Sequence, residues 1–270
     1  DLHHENAIRL GKIAKENVIR LADFGAPSSI AAVNSQIDRC LPLQPAWTTA
    51  EKIDFLQSIH GLAKQKYTKL AAVNVTIMEE FHEKELLNSF GSHTRTEMAR
   101  SVLFFKHTVL NAAGEPVQLF DFISGRGLIG DLSLELKEVE KQMDQLYQWV
   151  VDKTEGVPPR AGLVDCIIGP NITGILAHEA LGHPCEADLV ESGSVTGGLV
   201  GKQVASDLIT MVDFAHSYKD ELLPVPVFVD DEGVEATDVT LVEKGVLKGF
   251  MHNRQTAVNM GVEPTGNARG

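Results

Sequence analysis

No apolar run in this 270-residue chain approaches the roughly 20 residues that span a bilayer, and no basic-then-apolar signal opens it. The reading is a cytoplasmic protein without a membrane partner. A cationic surplus is also missing: 24 Lys and Arg stand against 37 Asp and Glu, for a formal net charge of −13. Phosphate backbones and anionic lipid surfaces want clustered Lys and Arg, so nucleic acid is not an expected partner. Cysteine is scarce, and Cys40, Cys166 and Cys185 are an odd number at unrelated spacings, which points to reduced thiols rather than a disulfide frame. Repeats, low-complexity tails and long charge runs are absent too. What is present is ordinary globular material, 43% hydrophobic and 23% charged, enough for a sizeable core and two domains.

The pattern predicts an α+β protein. Residues from about Asn6 to Phe24 carry Ile8, Ala14, Val18, Leu21 and Ala22 near helical spacing and stop before Gly25 and Pro27. Thr48 with Glu51 forms a capping box for a helix through Gln65, with Ile53, Leu56, Ile59 and Ala63 on its inner face. Leu70 to Phe81, Glu85 to Phe90, Thr96 to Leu110 and Val117 to Ile123 read as strands of an antiparallel meander. Ser133 to Lys153 is an amphipathic helix with Leu136, Val139, Met143, Leu146 and Val150 on one stripe. Gly156-Val-Pro-Pro159 marks the expected boundary between an N-terminal α/β domain, 1–157, with antiparallel strands and flanking helices, and a strand-rich C-terminal domain, 158–270. In the second domain Leu208 to Asp213, Val225 to Val229, Asp238 to Glu243 and Val246 to Met251 read as strands, the last two joined by a tight turn at Lys244-Gly245. A short helix follows within His252 to Met260.

The chemistry concentrates at His178-Glu179-Ala-Leu-Gly182-His183. Neutral imidazoles are the commonest protein ligands for a borderline-soft divalent cation, and a neighbouring glutamate can accept a proton from activated water. The histidines stand five apart, not the four of the familiar zinc-peptidase helix. On a regular helix five residues turn through about 500°, leaving the side chains roughly 140° apart and unable to share an ion. The backbone must therefore deviate. Pro184 has no N–H for an unbroken helix, so a one-residue π-bulge, or a helix ending near Gly182, is predicted to swing His183 toward His178. Gly162 to Gly169 reads as a strand leading into this helix, with Asn171 as its cap.

These blocks resemble the TldD/PmbA metallopeptidases, on the TldD side. The resemblance rests on Gly169-Pro170, Gly174-Ile-Leu-Ala-His-Glu-Ala-Leu-Gly-His183, Glu186-Ala-Asp188, Asp230-Asp-Glu-Gly233, Leu241 to Gly249, Met260-Gly261 and Pro264-Thr-Gly-Asn-Ala-Arg269. It is dense from about Gly162 onward and only architectural before that. It implies a cytoplasmic zinc-type peptidase acting on unfolded or extended peptides, another divalent transition metal being an alternative to zinc. It further implies metal ligands at His178 and His183, a general base at Glu179, and a homo-oligomer or a heterodimer with a PmbA/TldE-like homologue. The family's third protein ligand is a distal cysteine that does not occur here. The chain is accordingly expected to be shortened at both ends and inactive by itself. Pro184 departs from the Gly or Ala the family leads one to expect.

The remaining polar residues are weighed against this trio. Glu186 either completes a His-His-Glu set or, as the preferred reading, holds an imidazole N–H in the right tautomer. Asp188 solvates a helix end, His216 and His252 are structural or exposed, and His3 and His4 are terminal residues. Cys185 neighbours the motif but should point away from His183. Asp230-Asp231-Glu232-Gly233 reads as a strand-end turn rather than a cation site, since consecutive side chains cannot all face one ion. Glu191 to Gly201 is rich in glycine but lacks the lysine of a P-loop, and is expected to be a mobile loop over the active site. Two functions compete: a metal-dependent peptidase, and a catalytically silent assembly subunit or peptide-binding module of the same family.

Overall fold

The computed structural model describes Arg9, residues 35–43 and residues 45–269. The predicted helix from Asn6 to Phe24 and the residues His3 and His4 lie outside these, Arg9 apart. The chain divides into two compact units, Cys40–His82 with Glu97–Val164, and Glu83–Thr96 with Asp165–Gly270 and the stretch Asp1–Arg39. The boundary expected at 157/158 falls in the irregular connector before Asp165, where the chain passes from one unit to the other.

Helix α1, Thr49–Lys66, begins where the sequence requires it to. The Thr48 hydroxyl accepts from the Glu51 N–H, while the Glu51 carboxylate accepts from the Thr48 N–H at 2.7 Å, so two orphan donors of the first turn are satisfied reciprocally. Ile59 and Ala63 are fully buried and Leu56 packs beside them, but Ile53, expected on the same face, is 47% exposed because the apolar stripe extends beyond the surface that covers it. Helix α2, Leu136–Lys153, buries Val139, Met143, Leu146 and Val150 as its spacing predicts, each contributing on the order of 1.5–3 kcal/mol. Leu136 stays largely exposed at the helix start.

Four strands make the larger sheet: β1 (Gln36–Cys40), β2 (Leu70–Leu87), β3 (His93–Leu110) and β4 (Pro116–Arg126), with β1 and β2 on either side of β3 and β4 also paired to β3. β3 and β4 are antiparallel over Arg100↔Arg126 to Leu110↔Pro116. Leu103, Phe105, Leu119 and Ile123 belong to the core with Ile59, Val139 and Met143. The two strands expected between Leu70 and Phe90 are one. Side chains on β3 face the acidic stretch between them, with Arg100 at 2.5 Å from Glu80, Arg95 at 3.0 Å from Glu83 and the His93 ring at 2.8 Å from Glu85.

Around the second unit's smaller core a three-stranded sheet runs in the order β5 (Met211–Asp213), β8 (Val239–Glu243), β9 (Val246–Leu247). The expected turn at Lys244-Gly245 has φ of +48° and +79°, the conformation a two-residue hairpin demands. A Cβ on Gly245 would meet the backbone of Ala205 and Ser206. Helix α5, Arg254–Met260, is capped by the Asn253 side chain accepting from the Thr256 N–H, and ends at Gly261. Two expectations fail here. Gly162 to Gly169 forms no strand: its side chains are exposed, and no strand lies alongside it among the described residues. Of Val225 to Val229 only Val229 bridges, to Glu235, while an unforeseen short hairpin of β6 (Ser217–Tyr218) and β7 (Glu221–Leu222) turns through Lys219 and Asp220 at positive φ. The fold is α+β, as predicted.

One buried group in the first unit is costly. The His107 side chain is fully buried beside the Tyr67 ring, 5.5 Å between centroids, and neither ring nitrogen has a hydrogen-bond partner. Burial lowers its pKa from 6.5 to about 4. The unfolded chain therefore takes up a proton that the folded one refuses. Stability is complete above pH 6.5 and is lost as the pH falls from there toward 4, by on the order of 3 kcal/mol. His107→Leu should remove that dependence. Urea midpoints of wild type and variant at several pH values check it, and parallel pH profiles through this window would refute it.

Candidate metal centre

Helix α3, Pro170–Ala177, starts with Gly169 as its N-cap and Pro170 in the first turn. Asn171, expected to cap it, already lies inside the helix. No side chain caps this end; the Gly169 carbonyl instead accepts from the Thr173 N–H at 2.9 Å and hydroxyl at 3.0 Å. The helix then widens. His178–Gly182 is a π turn, closed by the His183 N–H donating to the His178 carbonyl, and His183–Cys185 tightens into a 3₁₀ turn that ends at the extended Glu186. Helix α4, Ala187–Glu191, follows.

Widening brings the two imidazoles together, as the five-residue spacing requires. The ring centroids of His178 and His183 are 4.4 Å apart at 67°, and ligand atoms of His178, Glu179 and His183 all lie within 4.8 Å of one another. All three side chains are exposed. Glu186 is not in this group. Its Oε1 is 2.6 Å from His183 Nδ1, so it engages one ring nitrogen and leaves Nε2 free of that contact. Cys185 points away into the core with Leu241, Leu247 and Phe250, and burial raises its thiol pKa. His252 is buried against Phe250 and Thr256, with its pKa lowered by burial, and His216 packs on the Phe228 ring; neither joins the trio.

The segment after His183 is held at several points. The hydroxyls of Ser194, at 2.8 Å, and Thr196 both donate to the Pro184 carbonyl. The Cys185 carbonyl accepts from the Met251 N–H, and the Ala187 N–H donates to the Met251 carbonyl, each at 2.9 Å. The glycine-rich stretch expected to be a mobile loop is thus a braced one. Thr196 is 3% exposed, Leu199 packs on the core, and the Gly201 N–H donates to the Leu247 carbonyl at 2.8 Å.

A cavity of about 830 Å³ opens beside His178, with Glu186, Asp188, Asp213 and Asn267 on its wall. The sequence reading did not single out Asp213 or Asn267. Asn267 lies in the Pro264–Arg269 block and donates from Nδ2 to Asp213 at 2.7 Å, while its Oδ1 is buried without a partner. Burial raises the Asp213 carboxyl pKa, and the Asp238 charge adds to the shift. The Asp230 block is a turn, as expected. Asp230 accepts from the N–H groups of Glu232 at 2.9 Å, Val234 at 2.8 Å and Ala268 at 3.1 Å, with Gly233 at φ +84°. Asp231 pairs with Lys84 at 2.7 Å, and Glu232 accepts from the Arg254 N–H at 2.8 Å, so the three acids serve separate partners.

Residues 161–270 match the family model described as the PmbA/TldA metallopeptidase C-terminal domain. A metalloprotease TldD homolog of Haemophilus influenzae is 38% identical over 93% of this chain and 52% of its own length. A metalloprotease of Methanothermobacter thermautotrophicus is 32% identical over 82% of the chain and 47% of its own. The chain thus spans about half the length of these curated relatives. Among solved structures, TldE from Thermococcus kodakarensis has the same fold, with a TM-score of 0.59 at 22% identity over 92% of this chain and 55% of that one. With a relative this similar along nearly its whole length, and with the His-Glu-His turn inside the matched domain, the chain belongs to the PmbA/TldD family of metallopeptidases.

Proposed function

We propose that the protein is a metal-dependent peptidase of the TldD type that hydrolyses unfolded or extended peptides, with His178 and His183 holding the ion and Glu179 acting as general base. The observation that carries this reading is the convergence of His178, Glu179 and His183 across the π turn. Two imidazoles and a carboxylate suit a borderline divalent transition metal, zinc first, and the exposure of the trio leaves room for a further ligand and for substrate. Such an ion, when bound, supplies a Lewis acid that lowers the pKa of water and polarises a carbonyl.

The chain's own groups do the rest. Glu179 takes the proton of the attacking water and delivers it to the departing amine. Glu186, by accepting the His183 Nδ1–H, fixes the tautomer that presents Nε2. The peptide lies extended along β5, the outer strand of its sheet, whose residues 211–213 line the cavity beside His178. Addition of a strand there recognises backbone without reading side chains. On this reading the protein is cytoplasmic and assembles with itself or with a TldE-like homologue; the fold shared with TldE is consistent with such a partner, and among the described residues no helix is long and apolar enough to cross a membrane.

Three measurements on the full-length protein test this. Elemental analysis of protein purified without added metal should find zinc; its absence would favour a catalytically silent assembly subunit of the same family. Glu179→Gln should keep the metal and lower peptidase turnover by about 100-fold or more, and retained turnover would remove Glu179 from the chemistry. Glu186→Gln should weaken metal binding roughly 10- to 100-fold, whereas an unchanged affinity would show that the contact with His183 is incidental.

A further inference from the structure

Among the described residues, nothing on the N-terminal side of the trio packs firmly enough to aim His183. All residues of α3 except Ala177 are exposed, including Ile172, Ile175 and Leu176. The imidazole takes its direction from the C-terminal side. There the chain leaves helical geometry at Glu186, with φ −71° and ψ 123°, and the Pro184 carbonyl accepts no backbone N–H. An orphan carbonyl must find another donor or turn toward water. It finds two, the hydroxyls of Ser194 and Thr196, which also lie 3.2 Å from each other. Pro184 converts that grip into a constraint on its neighbour, because its ring locks φ and its amide nitrogen is bonded directly to the His183 carbonyl carbon.

We infer that Thr196, assisted by Ser194, is a positioning residue for His183: its buried hydroxyl holds the Pro184 carbonyl and so keeps the imidazole against that of His178. The far side of the brace is equally fixed, by Leu199 in the core and by the Gly201 N–H on the Leu247 carbonyl. Two short polar side chains in a glycine-rich loop therefore set the geometry of a metal ligand they never touch. The inference rests on reading His183 as a ligand, and it makes the loop part of the centre rather than a cover over it.

The test uses the full-length protein, Co²⁺ titration followed by visible absorption, and histidine-ring NMR of the metal-free form. Thr196→Val combined with Ser194→Ala should lower Co²⁺ affinity roughly 10- to 100-fold, as removing an outer support of a ligand does, and should shift the ring resonances of His178 and His183. Thr196→Ser, which keeps the hydroxyl, should restore both readouts; a merely space-filling threonine would not be rescued this way. If the double variant does not fold, Ser194→Ala alone keeps the buried Thr196 and should give a smaller change of the same kind. Wild-type affinity together with unshifted resonances in the hydroxyl-free variant overturns the proposal. If the wild type itself binds no Co²⁺, the ligand reading of His183 has failed, and the ring resonances alone decide whether the hydroxyls aim the imidazole.

Discussion

The hydrogen bond from the His183 N–H to the His178 carbonyl is the constraint on which the centre depends. It adds one residue to a helical turn. Without it the histidines would face directions roughly 140° apart, and no side-chain rotamer would let them share an ion. With it they stand 4.4 Å apart, ring to ring, and Glu179 comes within the same few ångströms. Such a turn is rare in helices and occurs mostly at functional sites, because it strains the ladder of backbone bonds. Here the strain is eased from the C-terminal end. Pro184 has no N–H to lose, and the chain after it is held by Ser194, Thr196 and Met251.

Carboxylates near the centre divide by their partners rather than by their distance along the chain. Glu186 is committed to His183, Asp231 to Lys84, and Asp230 to three backbone N–H groups. Glu179 has no such commitment among the described residues and stands within the group of prospective ligands. Asp213 is different again. Buried, near the charge of Asp238 and accepting from Asn267, its carboxyl has a raised pKa and holds its proton more readily than a solvated aspartate does. A cavity wall carrying one committed pair and one orphaned amide oxygen is polar in places and apolar along Met211 and Val212.

In the unit that carries α1 and α2, charge and aromatic contact reinforce the apolar core. Lys66 reaches both Glu140 and Asp144, the Tyr67 hydroxyl donates to Asp144 at 2.8 Å, and the Tyr67 and Tyr147 rings stack at 4.6 Å. Burial would raise the Asp144 carboxyl pKa, yet the bonds from Lys66 and Tyr67 hold it below the usual range. Burial and the contact with Asp144 push the Tyr67 hydroxyl the other way. The same packing leaves both His107 ring nitrogens unpaired, a desolvation cost at every pH to which the lowered pKa adds a further loss of stability in acid.

Much of this protein was legible from its residues because the signals are local. Thr48 and Glu51 cap α1 by contacts three residues apart, the α2 stripe is a matter of helical period, and the Lys244-Gly245 turn needs only the torsions of two residues. The π turn was one of the two departures, beside a helix ending near Gly182, that two histidines five apart before a proline suggested. Tertiary structure decided what depends on distant partners. Gly162 to Gly169 has the composition of a strand yet pairs with none of the described strands, and no local pattern specifies such a pairing. The segment between Phe81 and Glu85 reads as a break between two strands, but it continues β2, with Glu80 and Glu83 facing Arg100 and Arg95 of β3. Likewise Glu186 on His183, Asn267 on Asp213 and the two hydroxyls on Pro184 pair residues whose meeting no local rule encodes, because only the folded chain sets their distance and angle.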